Sequence, residues 1–160
     1  LRLRNRTSLA DRCFAELSSM EAHDHLGAAP SRSMRLTLLP DRIALCRLPQ
    51  GATVPAWPAN VHSFLTISRT PTELSIVADE SAVPVEMDAK RGYRALRVQG
   101  PLPLDLVGVV AALAAPLAAA GVPIFPIATY DTDYVLVHET TLSRAIAALG
   151  EAGYVIVNSP

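Results

Sequence analysis

Tyr93-Arg94-Ala95-Leu96-Arg97-Val98-Gln99 sets Leu96 and Val98 against Arg97 and Gln99, the period-two pattern of a strand with one buried face. Gly100-Pro101-Leu102-Pro103 ends that strand, and Asp105 precedes a helix expected over Leu106–Ala120, where an acid suits the positive end of the macrodipole. Leu106, Val110, Leu113 and Leu117 fall at i, i+4, i+7 and i+11 on one face. The opposite face is alanine and Gly108, smooth enough for a second element to pack closely. Pro116 removes a donor from the interior, and Gly121 closes the helix. Ile124–Ala128 is a strand that Pro126 assigns to an edge or a bulge. Tyr130-Asp131-Thr132 turns the chain, and Asp133–Val137 returns antiparallel. Thr140 or Thr141 caps a second helix, whose Leu142, Ile146 and Leu149 share a face. Gly150 and Gly153 stop it, and Tyr154–Val157 is the last strand. Residues 92–158 therefore read as βαββαβ, the split ferredoxin-like unit: α+β, an antiparallel sheet with two helices on one face.

Upstream, the patterns are shorter. Leu36–Leu39 and Arg42–Leu48 flank Pro40-Asp41 and predict a hairpin. A loop with Pro49, Gly51, Pro55, Trp57 and Pro58 follows, then strands over His62–Ser68 and Glu73–Ala78, then a loop from Pro84 through Arg91. Residues 34–84 hold enough strands for a second, abbreviated unit, without two obvious helices, and two such units join their sheets or pack side by side. Residues 1–33 hold five arginines, His23, His25 and no sustained period. They read as a flexible tail or an upstream extension, with the fold starting near Met34.

Half of the 160 residues are hydrophobic and 18% are charged, which supports an extensive core. A net charge of −1 and few aromatics argue against a nucleic-acid partner. Leu106–Ala128 contains no charged residue, yet alanine dominates it, Gly121, Pro123 and Pro126 interrupt it, and no basic cluster flanks it. A buried helix and strand, with no membrane span, is the expectation. Cys13 and Cys46 form no CxxC pair, and Cys46 reads as a buried thiol. No apolar run follows the N-terminal arginines, so no secretory signal is expected and the cytoplasm is the expected compartment.

No GxSxG, HExxH, P-loop or GxGxxG spacing is present, so no catalytic residue, metal site or cofactor is expected. His62 and His138 sit at strand ends without a visible partner for acid–base work. Thr129-Tyr130-Asp131-Thr132-Asp133-Tyr134 concentrates polar groups between two apolar strands. One reading is a plain hairpin loop, since aspartate and threonine favour turns. The other is a ligand site in which Asp131 or Asp133 receives an ammonium group and Tyr130 supplies a flat wall. The Gly100–Asp105 loop leads to a helix N-terminus whose free amides suit a carboxylate, so one site could neutralise both ends of a zwitterion.

Gly121–Val137, together with the stretch from Arg35 through Ser68-Arg69-Thr70-Pro71 to Glu73–Val77, resembles short bacterial ACT-domain proteins. These in turn are similar to the ACT units of the eukaryotic cytosolic arginine sensors called CASTOR. The resemblance covers Met34 to Val157. It implies paired ACT modules, the first incomplete, with a ligand pocket at their junction. Carried over by resemblance, Tyr130 matches the aromatic and Asp133 the acid of the sensors' turn, while Ser75 and Ile76 match contacts from the partner module. The strand-to-helix loop departs from the sensors, with Pro103, Leu104 and Asp105 where they have glycine and a glutamate. A pocket is thus implied, but not arginine as its ligand.

The leading expectation is a non-catalytic sensor that binds an amino acid and shifts a homodimer or partner equilibrium. An assembly module that dimerises through exposed sheet edges around a vestigial pocket is the alternative. An enzyme would need an organised acid–base pair, which only the Asp131/Asp133 turn could supply.

Overall fold

The computed structural model describes residues 34–61 and 63–159. The expected tail, with Cys13, His23 and His25, and His62 lie outside the described residues.

The first strand, β1 (Arg35–Pro49), is the longest. The hairpin expected at Pro40-Asp41 does not form. A tight two-residue hairpin favours central residues with positive φ, and no non-glycine residue among those described has one. The chain instead runs through as an irregular strand. Between the pairs Leu38↔Leu96 and Arg42↔Arg94 it takes four steps to its partner's two. Between Ile43↔Tyr93 and Leu45↔Lys90 the partner takes the extra step, at Gly92, whose φ of 79° few other residues adopt. Such bulges bend strands and sharpen their twist, and the sheet curls here.

Six more strands follow: β2 (Leu65–Arg69), β3 (Glu73–Asp79), β4 (Ala89–Val98), β5 (Phe125–Ala128), β6 (Asp133–His138) and β7 (Val155–Asn158). Their order is β2-β3-β1-β4-β6-β5, with β7 added beside β1. Two helices, α1 (Val109–Ala119) and α2 (Glu139–Glu151), complete the βαββαβ string from β4 to β7. The fold is α+β and ferredoxin-like, as expected. One neighbour differs from the plain split unit. Arg35–Leu38 takes the seat beside β4, so β7 pairs in parallel with β1 (Leu36↔Ile156, Thr37↔Val157) and not with β4. Pro126 lies in β5, which pairs only with β6, on the edge where a missing N–H costs no ladder bond.

The helix-side core joins Leu36, Leu96, Val98, Val135 and Val137 to Val109, Leu113, Leu117, Ala145 and Leu149. Ala44, Cys46, Leu74, Ile76 and Val83 form a second cluster beneath Trp57, which opens a short 3-10 helix (Trp57–Asn60). On the opposite face Ile43, Phe64, Val77, Ala95 and Leu136 make a third, where Phe64 meets Tyr134 edge-on at 5.1 Å.

Helix α1 starts three residues later than its apolar run. The carbonyl of Pro103 accepts from the amide of Leu106, and Gly108 caps the helix at φ 88°. The buried stripe is therefore Val109, Leu113 and Leu117, while Leu106 and Val110 are exposed, a correction to the expected face. Asp105 lies outside the first turn, which holds no acid. Helix α2 is capped by His138 and not by a threonine, its Nδ1 accepting from the Thr140 amide. Strand β4 begins at Ala89, inside the loop expected through Arg91.

Leu113→Ala should destabilise the chain by about 2–5 kcal/mol in urea unfolding, whereas Val110→Ala should cost less than about 0.5 kcal/mol. Equal costs would mean the stripe is misplaced. Burial also pushes the Cys46 thiol up from its ordinary range. The folded chain thus holds this proton more tightly than the unfolded one. That contribution is whole below about pH 8.5 and is lost as pH rises above it. In a Cys13→Ser background, thiol reagents should label Cys46 only at the unfolding rate; rapid native labelling would contradict its burial.

Candidate ligand-binding site

The β5–β6 turn is tied by its own threonines. The Thr129 amide and hydroxyl both donate to the carbonyl of Thr132, at 2.9 and 2.6 Å, and the Thr132 amide donates back to Thr129 Oγ1. This is the local side-chain bonding that makes threonine a turn residue, and it leaves Tyr130 and Asp131 at the tip. Two further bonds fasten the turn to the chain leaving β4. Thr132 Oγ1 donates to the carbonyl of Val98 at 2.6 Å, and the Leu102 amide donates to the carbonyl of Asp131 at 2.7 Å. Gly100 permits the approach, since a Cβ there would stand 2.7 Å from the Asp131 carbonyl oxygen.

A groove of about 200 Å³ opens between the two clamped segments. Leu102, Pro103, Leu104, Leu106 and Val109 form one wall, and Ala128 and Thr129 through Asp133 form the other. Tyr130 is 79% exposed at the rim, Asp131 is exposed and Asp133 half-buried. The ion pairs among the described residues are Arg42–Glu139 and Arg47–Glu73, so neither carboxylate of the turn has a cationic partner among them. Val109 opens α1, whose glycine cap has no side chain to accept from the first amides. The first residue of α1 and both carboxylates of the turn thus line the same groove. A larger depression of about 600 Å³ includes Arg97, Gln99, Thr129, Asp131 and Tyr134, so Asp131 borders both.

Of the sequence-predicted residues, Tyr130, Asp131, Thr132 and Asp133 come together in this groove. Thr132 spends its hydroxyl holding the turn in place. Ser75 lies elsewhere, in a cleft of about 520 Å³ where β2 and β3 face Phe125–Ala128 of β5; Ala128 lines both spaces. The Ile76 side chain is wholly buried with Ala44, Cys46 and Leu74, and its backbone pairs with Cys46 and Ile67. Asp105 is exposed and lines neither space, although its neighbours Leu104 and Leu106 line the groove. Sequence reasoning missed the apolar wall and the role of Gly100. The Thr129-x-x-Thr132 spacing is the cue that the turn is self-tied.

A split βαββαβ sheet with both helices on one face defines the class, a ferredoxin-like α+β domain. Residues 88–151 match the ACT-domain family, and residues 41–86 match a second family described as an N-terminal domain. A crystallised Agobacterium tumefaciens protein is similar at 30% identity, covering 82% of this chain and 96% of its own, with a TM-score of 0.75. A Vibrio cholerae protein, described as of unknown function and a possible transport protein, is 22% identical over 76% of this chain and 91% of its own (TM-score 0.62). The regulatory subunit of Thermus thermophilus aspartate kinase shares the fold at 16% identity, over 73% and 93%, with a TM-score of 0.50. No curated protein matches the sequence. The ACT-domain match runs from the start of β4 to the end of α2.

Gly100→Ala should push the loop off the turn and lower stability by about 1–3 kcal/mol, with faster hydrogen exchange at the Leu102 amide. A variant as stable as the parent would show that the clamp is dispensable.

Proposed function

We propose that this chain is a non-catalytic regulatory module that binds an amino acid between the β5–β6 turn and the loop entering α1. The observation that carries this reading is that Asp131 and Asp133, which have no ion-pair partner among the described residues, line one small groove with Val109, the first residue of α1. A free amino acid brings an ammonium for the acids and a carboxylate for the helix N-terminus. At about 200 Å³ the groove is smaller than the clefts of roughly 300–1,000 Å³ that enclose drug-sized ligands, and it suits a single amino-acid head group. Arginine is not singled out, because Asp105 stands clear of both spaces.

In this reading residues 34–84 and 92–158 are two ACT-like units. The cleft holding Ser75 is their junction, and Ala128 is its shared wall with the groove. A side chain longer than the head group extends toward that junction, so a ligand shifts the balance between two arrangements by preferring one of them. The ACT-domain match over residues 88–151 and the fold shared with an aspartate kinase regulatory subunit support a regulatory role. The cytoplasm, where free amino acids report metabolic state, is the compartment this role fits.

A thermal-shift screen of the full chain against the twenty amino acids checks this. A ligand at 100 times its Kd adds about 2.7 kcal/mol of stability, and Asp133→Ala should abolish the shift while the unliganded melting temperature holds. No shift with any amino acid, or one that Asp133→Ala leaves intact, would overturn the proposal.

A further inference from the structure

Asp79 is the one buried charged side chain among the described residues, with 7% of its surface exposed. It closes β3 on the terminal rung Ile43↔Asp79, and its amide donates to the carbonyl of Phe64 at 3.1 Å. One carboxylate oxygen, Oδ2, accepts from Ser63 Oγ at 2.5 Å and from the Phe64 amide at 3.4 Å. The other, Oδ1, is buried without a hydrogen-bond partner. Buried charges are ordinarily paired with an opposite charge or bound to a metal, and Asp79 is in no ion pair among the described residues.

A second carboxylate shares the same hydroxyl. Ser63 Oγ also lies 3.0 Å from Asp41 Oδ2. A hydroxyl has one proton to give, so it serves one acid and turns a lone pair toward the other. Three oxygens from three segments thus converge: Asp41 from the irregular stretch of β1, Ser63 from the loop entering β2, and Asp79 from the end of β3. Spacings of 2.5 and 3.0 Å lie close to the roughly 3 Å that separates neighbouring oxygens around an octahedral Mg²⁺. Asp41 is exposed and borders a depression of about 430 Å³, which leaves room for the waters such an ion keeps. Arg42 and Arg91 line that depression too. The first pairs with Glu139, and the second donates to the carbonyls of Glu80 and Pro84. No three carboxylate, imidazole or thiol groups converge among the described residues, so the ligand set suits a hard, largely hydrated ion and not zinc.

We propose that Asp41, Ser63 and Asp79 hold a divalent cation of the Mg²⁺ class, which ties β1, the entry to β2 and the end of β3 together. The ligands stand 22 and 16 residues apart in sequence, so no local motif signals them. The site is separate from the β5–β6 turn and stands whatever the groove binds.

Mn²⁺ takes the same oxygen ligands and serves as a paramagnetic probe. Titrated into the chelator-treated full chain, it should bind saturably by electron paramagnetic resonance, Mg²⁺ should displace it, and either ion should raise the melting temperature. Asp41→Asn should weaken this binding about tenfold or more, because ligand charge sets affinity, and Asp79→Asn should abolish it, both with the parent's circular dichroism. If Asp79→Asn does not fold, Asp41→Asn and Ser63→Ala, each expected to weaken binding, decide the matter. Asp131→Asn and Asp133→Asn should leave the ion in place. No saturable binding by the parent, binding that Asp41→Asn leaves intact, or binding lost in the Asp131 or Asp133 variant would overturn the proposal.

Discussion

Every part of the molecule leans on the pairing of β1. Its first four residues lie between β4 and β7, its last seven pair with β3, and Ile43–Cys46 of these also face β4. Leu36 and Leu38 belong to the helix-side core, Ala44 and Cys46 to the cluster beneath Trp57, and Ile43 to the opposite face. One strand thus contributes to all three clusters, and each half of the chain completes its sheet through it. The cost of ordering so long a strand is met by burial on both faces, which is why its side chains Leu36, Ile43 and Ala44 are wholly enclosed.

That shared strand also fixes where the candidate site can form. With β4 anchored by β1 and β6, the chain leaves the sheet at Val98 and must turn at once. Gly100 admits the close approach, Leu102 donates to Asp131, and Thr132 donates to Val98. Thr129, Asp131 and Thr132 spend backbone groups in these bonds, while the turn's carboxylates have no ion-pair partner among the described residues. In the proposed reading, a turn so held is preorganised for a cation at little further ordering cost.

Much of this could be read in the sequence, and the failures share a cause. The order of elements from β4 to β7 followed from periodicity, and the edge position of Pro126 followed from its missing donor. The hairpin at Pro40-Asp41 did not, because a proline between two apolar runs marks a turn and a bulge equally well, and only the partner strand decides. The start of α1 was misplaced because Leu106 and Val107 extend the helical period, yet the local turn at Pro103 and the left-handed Gly108 hold them outside it. In the site, the acidic turn announced itself by composition. The separation of Ser75 from it, and the burial of Ile76, depend on how the curled sheet brings β3 against β5, which no local pattern encodes.

Whether the acidic turn and the loop before α1 form one small-molecule site is decided by an amide chemical-shift titration of the labelled full chain with each amino acid. Saturable shifts centred on residues 102–109 and 129–133 are the predicted result. Shifts confined to the β2–β3 cleft around Ser75, or none with any amino acid, would contradict it.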